Sequence, residues 1–235
     1  MVVGGLGAAW GATVGAAWLR VAIADKEPSR STGTVAKGRL EHGRPLRPWG
    51  QGYATYSFLG TALGRQYVHA AVRDAVEAAC AASARREPRR TFVLGETGWP
   101  GGGRFRPHRT HQNGLSVDVF MPLVDGTGAP AIPSTWPWNK LGYGMEFDAE
   151  GRLGDLRIDF DALAAFLRDL QAEAASRGLG VQKVIIAPEY VPLLLATSTG
   201  RQLGKLADVL SRGPAWVRHD EHFHVDFSEV APARL

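Results

Sequence analysis

Glu221-His222-Phe223-His224-Val225-Asp226-Phe227 alternates polar and apolar side chains. That is the period of a β-strand, in which successive side chains point to opposite faces. On such a strand His222 and His224 project from one face, while Phe223 and Val225 enter the core. The two imidazoles can then converge on one small volume. A second stretch reads the same way. Leu115 to Phe120 places Leu115, Val117 and Val119 on one face and Ser116, Asp118 and Phe120 on the other. His111 precedes Asp118 by seven residues, in the turn that feeds this strand, and Gly114 permits a tight approach there. Two imidazoles and a carboxylate make an N,N,O ligand set that suits Zn²⁺. The set is one ligand short of closed, which leaves a position for water. Taken singly, these signals are weak: His-x-His on an amphipathic strand is more often a surface pair, and a lone His-to-Asp spacing says almost nothing. Their joint occurrence on short, glycine-flanked strands is what points to a metal centre.

Outward from these strands, Ala62 to Arg86 is expected as a helix, with Val68, Val72, Ala75, Val76 and Ala79 at three- and four-residue intervals. Phe160 to Arg177 is expected as a second helix, striped by Leu163, Phe166, Leu167 and Leu170. Further strands are expected at 91–96, 181–187 and 215–218, and one or two helices between Tyr190 and Ser211. Glu27 to Gly52 has no sustained period and reads as an extended arm, and 126–144 reads as a long loop carrying Trp136 and Trp138. Helices and short strands intermix without a βαβ rhythm. The expected class is therefore α+β, an antiparallel sheet flanked by helices.

The 235 residues suit one large domain, taken as 25–235. Hydrophobic residues are 45% and charged residues 21%, which excludes a disordered chain and a polytopic membrane protein. Lys and Arg number 27 against 23 Asp and Glu, a net +4 that identifies no partner; no nucleic-acid partner is expected. The single cysteine, Cys80, excludes an internal disulfide and a cysteine-based zinc cluster, and reads as packed. Residues 1–24 are read as a signal or a flexible N-terminal segment. Ala22-Ile23-Ala24 has the small-x-small form of a cleavage site, yet no basic residue precedes the apolar run and Arg20 interrupts it. Its five glycines make a poor spanning helix, so no stable membrane span is expected. The helical His-Glu-x-x-His motif, a Gly-x-Ser-x-Gly elbow and a phosphate-cradling lysine loop are all absent.

Pro107 to Val119 together with His219 to Val225 resembles the penicillin-insensitive murein endopeptidase family, within the wider lysostaphin, D-Ala-D-Ala metallopeptidase and sonic hedgehog zinc fold. Gly38 to Gly43, Tyr53 to Gly60, Leu63 to His69 and Lys140 to Asp148 are similar to the same family, so the likeness covers about residues 30–227. Two departures stand out: better-known relatives carry several disulfides, and no equivalent of a second, downstream metal-binding pair is found. The resemblance implies a hedgehog/D-Ala-D-Ala-peptidase-like fold and a zinc peptidase of the periplasm or another extracytoplasmic space. It would cut peptidoglycan cross-bridges at a D-alanyl–diaminopimelate bond through a metal-activated water. It implies that His111, Asp118 and His224 ligate Zn²⁺, with His108 as an extra ligand or a cleft residue. His222 would act as general base or polarise the scissile carbonyl, and His219 would assist. Use of water in place of a serine nucleophile would explain insensitivity to β-lactams. Two alternatives remain at this stage: a non-catalytic zinc-containing cell-wall or ligand-binding protein on the same scaffold, and a D-Ala-D-Ala carboxypeptidase or dipeptidase. Trp99, Trp136 and Trp138 are read as core or loop packing, with cleft walls as the alternative. Arg104, Arg106 and Arg109 are read as surface residues or carboxylate grips, and His42 and His69 as structural or exposed.

Overall fold

The two alternating stretches are neighbours in one sheet. The computed structural model of the chain describes residues 2–211 and 217–230. Six strands build the sheet: β1 (Trp49–Gly50), β2 (Tyr53–Thr55), β3 (Phe92–Leu94), β4 (Ser116–Phe120), β5 (Leu179–Ile185) and β6 (His222–Glu229). Their spatial order is β5-β6-β4-β3-β2-β1. All pairings are antiparallel except β2 with β3, which is parallel. The α+β expectation holds, with that one parallel pairing in a sheet expected to be antiparallel throughout. The register of β6 against β4 sets His224 opposite Asp118 and His222 opposite Phe120. Directly opposed side chains lie close enough to bond across a pair of strands.

Among the described residues five α-helices accompany the sheet: α1 (Val2–Ala22), α2 (Phe58–Ala62), α3 (Ala70–Arg86), α4 (Phe160–Ala175) and α5 (Tyr190–Ala196). The apolar stripe of α4 covers the sheet. Phe166 packs on Phe92 of β3 at 4.3 Å between ring centroids and on Phe223 of β6 at 5.7 Å. Val72, Val76, Val117, Val119, Phe223 and Val225 are all sealed in the same core. Burying that face in helices leaves the opposite face of β4 and β6 to carry polar groups. Asp159 caps α4 by accepting from Ala162 N–H, and its carboxylate also pairs with Arg90.

Several expectations need correction. The run 62–86 is not one helix. α2 ends at Ala62, Gly64 takes a left-handed φ of +84°, Tyr67–Val68 pairs with Arg44–Pro45, and α3 begins only after His69. Tertiary bonds override the periodicity: the buried Gln66 side chain donates to the Leu94 and Gly95 carbonyls and pins this segment to the end of β3. Val68 sits at the helical interval but is buried from a short strand. The arm at 27–52 contains a β-hairpin, Arg30–Thr34 on Lys37–Glu41, whose mostly solvent-exposed strands show no hydrophobic alternation. Of the strand expected at 215–218, residues 215 and 216 lie outside the described residues, and Val217 and Arg218 are not in a strand. Loop 126–144 holds a two-residue strand, Pro130–Ala131, and a 3₁₀ turn, Pro137–Gly142. Cys80 is fully buried, as read.

α1 lies against α2, with Arg20 donating to the Ala62 carbonyl and Trp18 meeting Trp49 edge-on. Among the described residues, no helix is long and apolar enough to cross a membrane.

Candidate metal centre

β4 carries Asp118 to the middle of the polar face, and four histidines surround its carboxylate. His224 Nδ1 lies 2.8 Å from Asp118 Oδ1, and His111 Nε2 lies 3.2 Å from the same oxygen. His108 Nδ1 stands 3.6 Å and His222 Nε2 3.8 Å from Oδ2. Donor atoms of His108, His111 and Asp118 all fall within 4.8 Å of one another. Asp118 and His224 are 106 positions apart in the sequence, and the β4–β6 register closes that gap. His219 sits further out, its ring 4.7 Å from that of His222 and 6.3 Å from that of His224. All six residues singled out from the sequence therefore meet in one place.

The backbone bends to achieve this. His111 and His219 both adopt left-handed conformations, with φ of +65° and +58°, uncommon for residues other than glycine. Gly98 makes room for the first, since a Cβ there would stand 2.7 Å from the His111 carbonyl oxygen.

Each ring nitrogen that faces away from Asp118 has its own partner. His111 Nδ1 meets the Thr97 carbonyl at 3.0 Å, so it must carry the proton and leave Nε2 as a bare lone pair. His108 Nε2 meets Glu96 at 2.8 Å, His222 Nδ1 meets Glu221 at 3.0 Å, and His224 Nε2 meets Asp226 at 2.7 Å. Ser116 donates to Asp226 in turn. Outer partners of this kind fix the tautomer and the ring plane of a ligating histidine. None of these partners was among the residues singled out from the sequence. Asp226 had a signal, because it shares the two-residue alternation of His224; Glu96, two residues past the end of β3, had none.

The electrostatics of the cluster suit a cation. Burial alone would raise the Asp118 carboxyl, but the surrounding imidazoles, His111 and His222 foremost, hold it well below the ordinary carboxylate range. Burial pushes His111 down and outweighs the pull of Asp118. Burial would also depress His224, yet its bonds to Asp118 and Asp226 lift it to about 9. His219 falls to about 4, through burial and then the neighbouring His222. Among the described residues, two buried side-chain atoms have no hydrogen-bonding partner, His111 Nε2 and Asp118 Oδ2. Buried polar atoms are rarely left so, and each costs about 1–3 kcal/mol if nothing fills the gap. Both are acceptors, and they belong to side chains in direct contact. A cation satisfies them where a proton donor is lacking, and the nitrogen and oxygen donors fit Zn²⁺.

The cluster opens into a cleft with a cavity of about 980 Å³. Tyr143, Lys140, Arg109, Lys183 and Arg218 are on its walls. Tyr143 packs, partly buried, against the site, its hydroxyl accepting from Glu96 N–H at 2.8 Å and its ring edge-on to His222 at 5.1 Å. Arg109 reaches this cleft, whereas Arg104 and Arg106 are exposed beside it. Trp99 packs on Phe105, but Trp136 and Trp138 are exposed and stack on each other at 4.9 Å, so they belong to neither the core nor the cleft lining. His69 caps α3 and His42 pairs with Asp25, both away from the site.

Residues 31–141 match the sequence profile of a family described as penicillin-insensitive murein endopeptidase. The matched stretch contains His108, His111 and Asp118. A protein named penicillin-insensitive murein endopeptidase from Haemophilus influenzae (strain ATCC 51907 / DSM 11121 / KW20 / Rd) is 26% identical over 145 residues, which cover 61% of this chain and 45% of that relative. The chain thus aligns with less than half of that relative's length. Over residues 31–141 the chain is thus similar to the penicillin-insensitive murein endopeptidase family.

Proposed function

We propose that this chain is a zinc-dependent endopeptidase that hydrolyses the peptide cross-bridges of peptidoglycan in an extracytoplasmic space, at the D-alanyl–diaminopimelate bond. The observation that carries the reading is the pair of unpartnered buried acceptors, His111 Nε2 and Asp118 Oδ2, ringed by further imidazoles in an open cleft. His111 Nε2, Asp118 and His224 Nδ1 would hold the metal, and His108 Nδ1 stands ready as a fourth donor. Bound there, zinc would supply Lewis acidity, polarising a carbonyl and lowering the pKa of a water to about 7.

The chain's own residues do the rest. His222 presents Nε2 to the centre while Glu221 holds Nδ1, so the ring is oriented to take a proton from an attacking water and deliver it to the leaving amine. His219 stands beside His222 at the cleft edge, where it lines the path of the departing amine. Lys140 and Lys183 on the cleft walls suit a peptide that carries free carboxylates. The family match and the named relative support murein as the substrate. No serine takes part, so β-lactams have nothing to acylate.

Purified protein supplied with zinc should shorten cross-linked muropeptides released from sacculi, read by mass spectrometry. A chelator should stop the reaction and penicillin should leave it unchanged. Full activity in protein stripped of transition metal would overturn the reading.

A further inference from the structure

We propose that Glu96 is a positioning residue: its carboxylate accepts the Nε2–H of His108 and so holds that ring with the Nδ1 lone pair turned toward the metal centre. The inference rests on the metal-centre reading above and extends it to the loop that carries His108.

His108 needs outside support. It lies on the glycine-rich connection between β3 and β4, in a stretch with no helix or strand, and no sheet register fixes its side chain. Two contacts do so instead. The Phe105 ring stacks on the imidazole at 5.3 Å with the planes 17° apart, which sets the plane of the ring. Glu96 Oε2, 2.8 Å from Nε2, then sets which edge faces inward. A half-turn of the imidazole within that plane would point a carbon where the lone pair is needed.

Glu96 is itself immobilised. It is 8% exposed, and Arg65 grips both of its oxygens, through Nε on Oε1 and through Nη2 at 2.8 Å on Oε2. The Tyr56 hydroxyl donates to Oε1 at 2.8 Å, and the Glu96 N–H is tied to the Tyr143 hydroxyl. Paired with Arg65, the carboxylate stays ionised and can only accept, so the proton in the His108–Glu96 bond belongs to the histidine. With Nε2 protonated, a neutral His108 has an unprotonated Nδ1. That atom faces Asp118 Oδ2 at 3.6 Å. Two acceptors facing each other across such a gap have no bond to make until a cation enters.

Arg65 links this carboxylate to the loop as well. Its guanidinium lies 4.4 Å from the Phe105 ring centroid and 5.1 Å from that of Trp99, and it donates to the Arg106 carbonyl at 3.1 Å. One arginine therefore fixes the carboxylate that aims His108, the ring that stacks on it and the backbone two residues before it. A carboxylate behind a metal-binding imidazole changes metal affinity by about 10- to 100-fold.

The test uses the full chain, ¹⁵N-labelled and stripped of metal, at a pH where the ring is neutral. Long-range ¹H–¹⁵N correlations of His108, assigned by their loss in His108→Gln, read the tautomer. The proton on Nε2 is expected; a proton on Nδ1, or an even mixture, overturns the proposal. In Glu96→Leu that preference should vanish, and the zinc dissociation constant, measured by competition with a chromophoric chelator, should rise ~10- to 100-fold. Glu96→Gln keeps an acceptor oxygen and should restore most of the tautomer preference, which a merely structural role would not predict. An unchanged His108 spectrum and zinc affinity in Glu96→Leu would contradict the proposal. Should Glu96→Leu fail to fold, the wild-type tautomer decides. A wild-type chain that binds no zinc would instead sink the metal-centre reading, while the tautomer still decides the role of Glu96.

Discussion

Asp118 is the residue on which the site turns. Each of its oxygens faces two imidazoles, and its carboxyl stays ionised despite complete burial. Asp118→Ala should leave zinc substoichiometric by elemental analysis, because two of the three principal donors then lack their bridge. His222→Ala should behave differently. Zinc should be retained while the rate on muropeptides drops by at least ~10²-fold, the reach of acid–base catalysis. An unchanged rate would remove His222 from proton transfer. Glu96 gives a pH signature of its own. Burial would raise its carboxyl, but bonds from Arg65 and His108 lower it from 4.5 to about 2. A group depressed on folding adds stability above its unfolded value and loses it as the pH falls through the folded one. Unfolding followed by denaturant between pH 4.5 and pH 2 should therefore show a loss of stability that is smaller in Glu96→Gln. The residues proposed to bind the metal were legible in the sequence because strand alternation assigns faces. Their outer partners were not, because Glu96 and Tyr143 reach the site from other elements and no local period links them to it.

At the scale of elements, the β4–β6 register does the assembly, and the close packing of β3 against it leaves no slack. Gly95 shows how little. A Cβ there would stand 2.5 Å from the Tyr143 hydroxyl and 3.1 Å from Asp118 Cβ. Gly95→Ala should therefore shift Tyr143 and Asp118 together, weakening zinc binding measured by chelator competition even though no donor is removed. Unaltered affinity would show that β4 can retreat without disturbing the carboxylate. The elements differ in how well they can be read. β6 and α4 follow from alternation and from a leucine stripe, since each buries one face in a common core. The segment between α2 and α3 does not follow, because Gln66 spends its side chain on the backbone of β3 and breaks a run whose apolar spacing suits a helix. The hairpin at 30–41 escapes for the opposite reason: strands with little to bury leave no pattern.

For the whole molecule, the division of the sheet into an apolar face under α3 and α4 and a polar face open to the cleft makes the fold and the site one structure. Ordering the centre and stabilising the fold are then linked, since a ligand that binds only the folded state shifts its stability. Zinc should raise the thermal unfolding midpoint of the wild type and leave that of Asp118→Ala nearly unchanged. The architecture as a class was legible from the mixture of periods, but the parallel pairing of β2 with β3 was not, because strands this short carry no sign of direction. The most direct measurement of the central claim is anomalous diffraction at the zinc edge from crystals of the zinc-loaded chain. The account predicts one strong peak about 2.0–2.2 Å from His111 Nε2, an Asp118 oxygen and His224 Nδ1. A fully loaded, active protein whose zinc lies beyond bonding reach of these three atoms would contradict it.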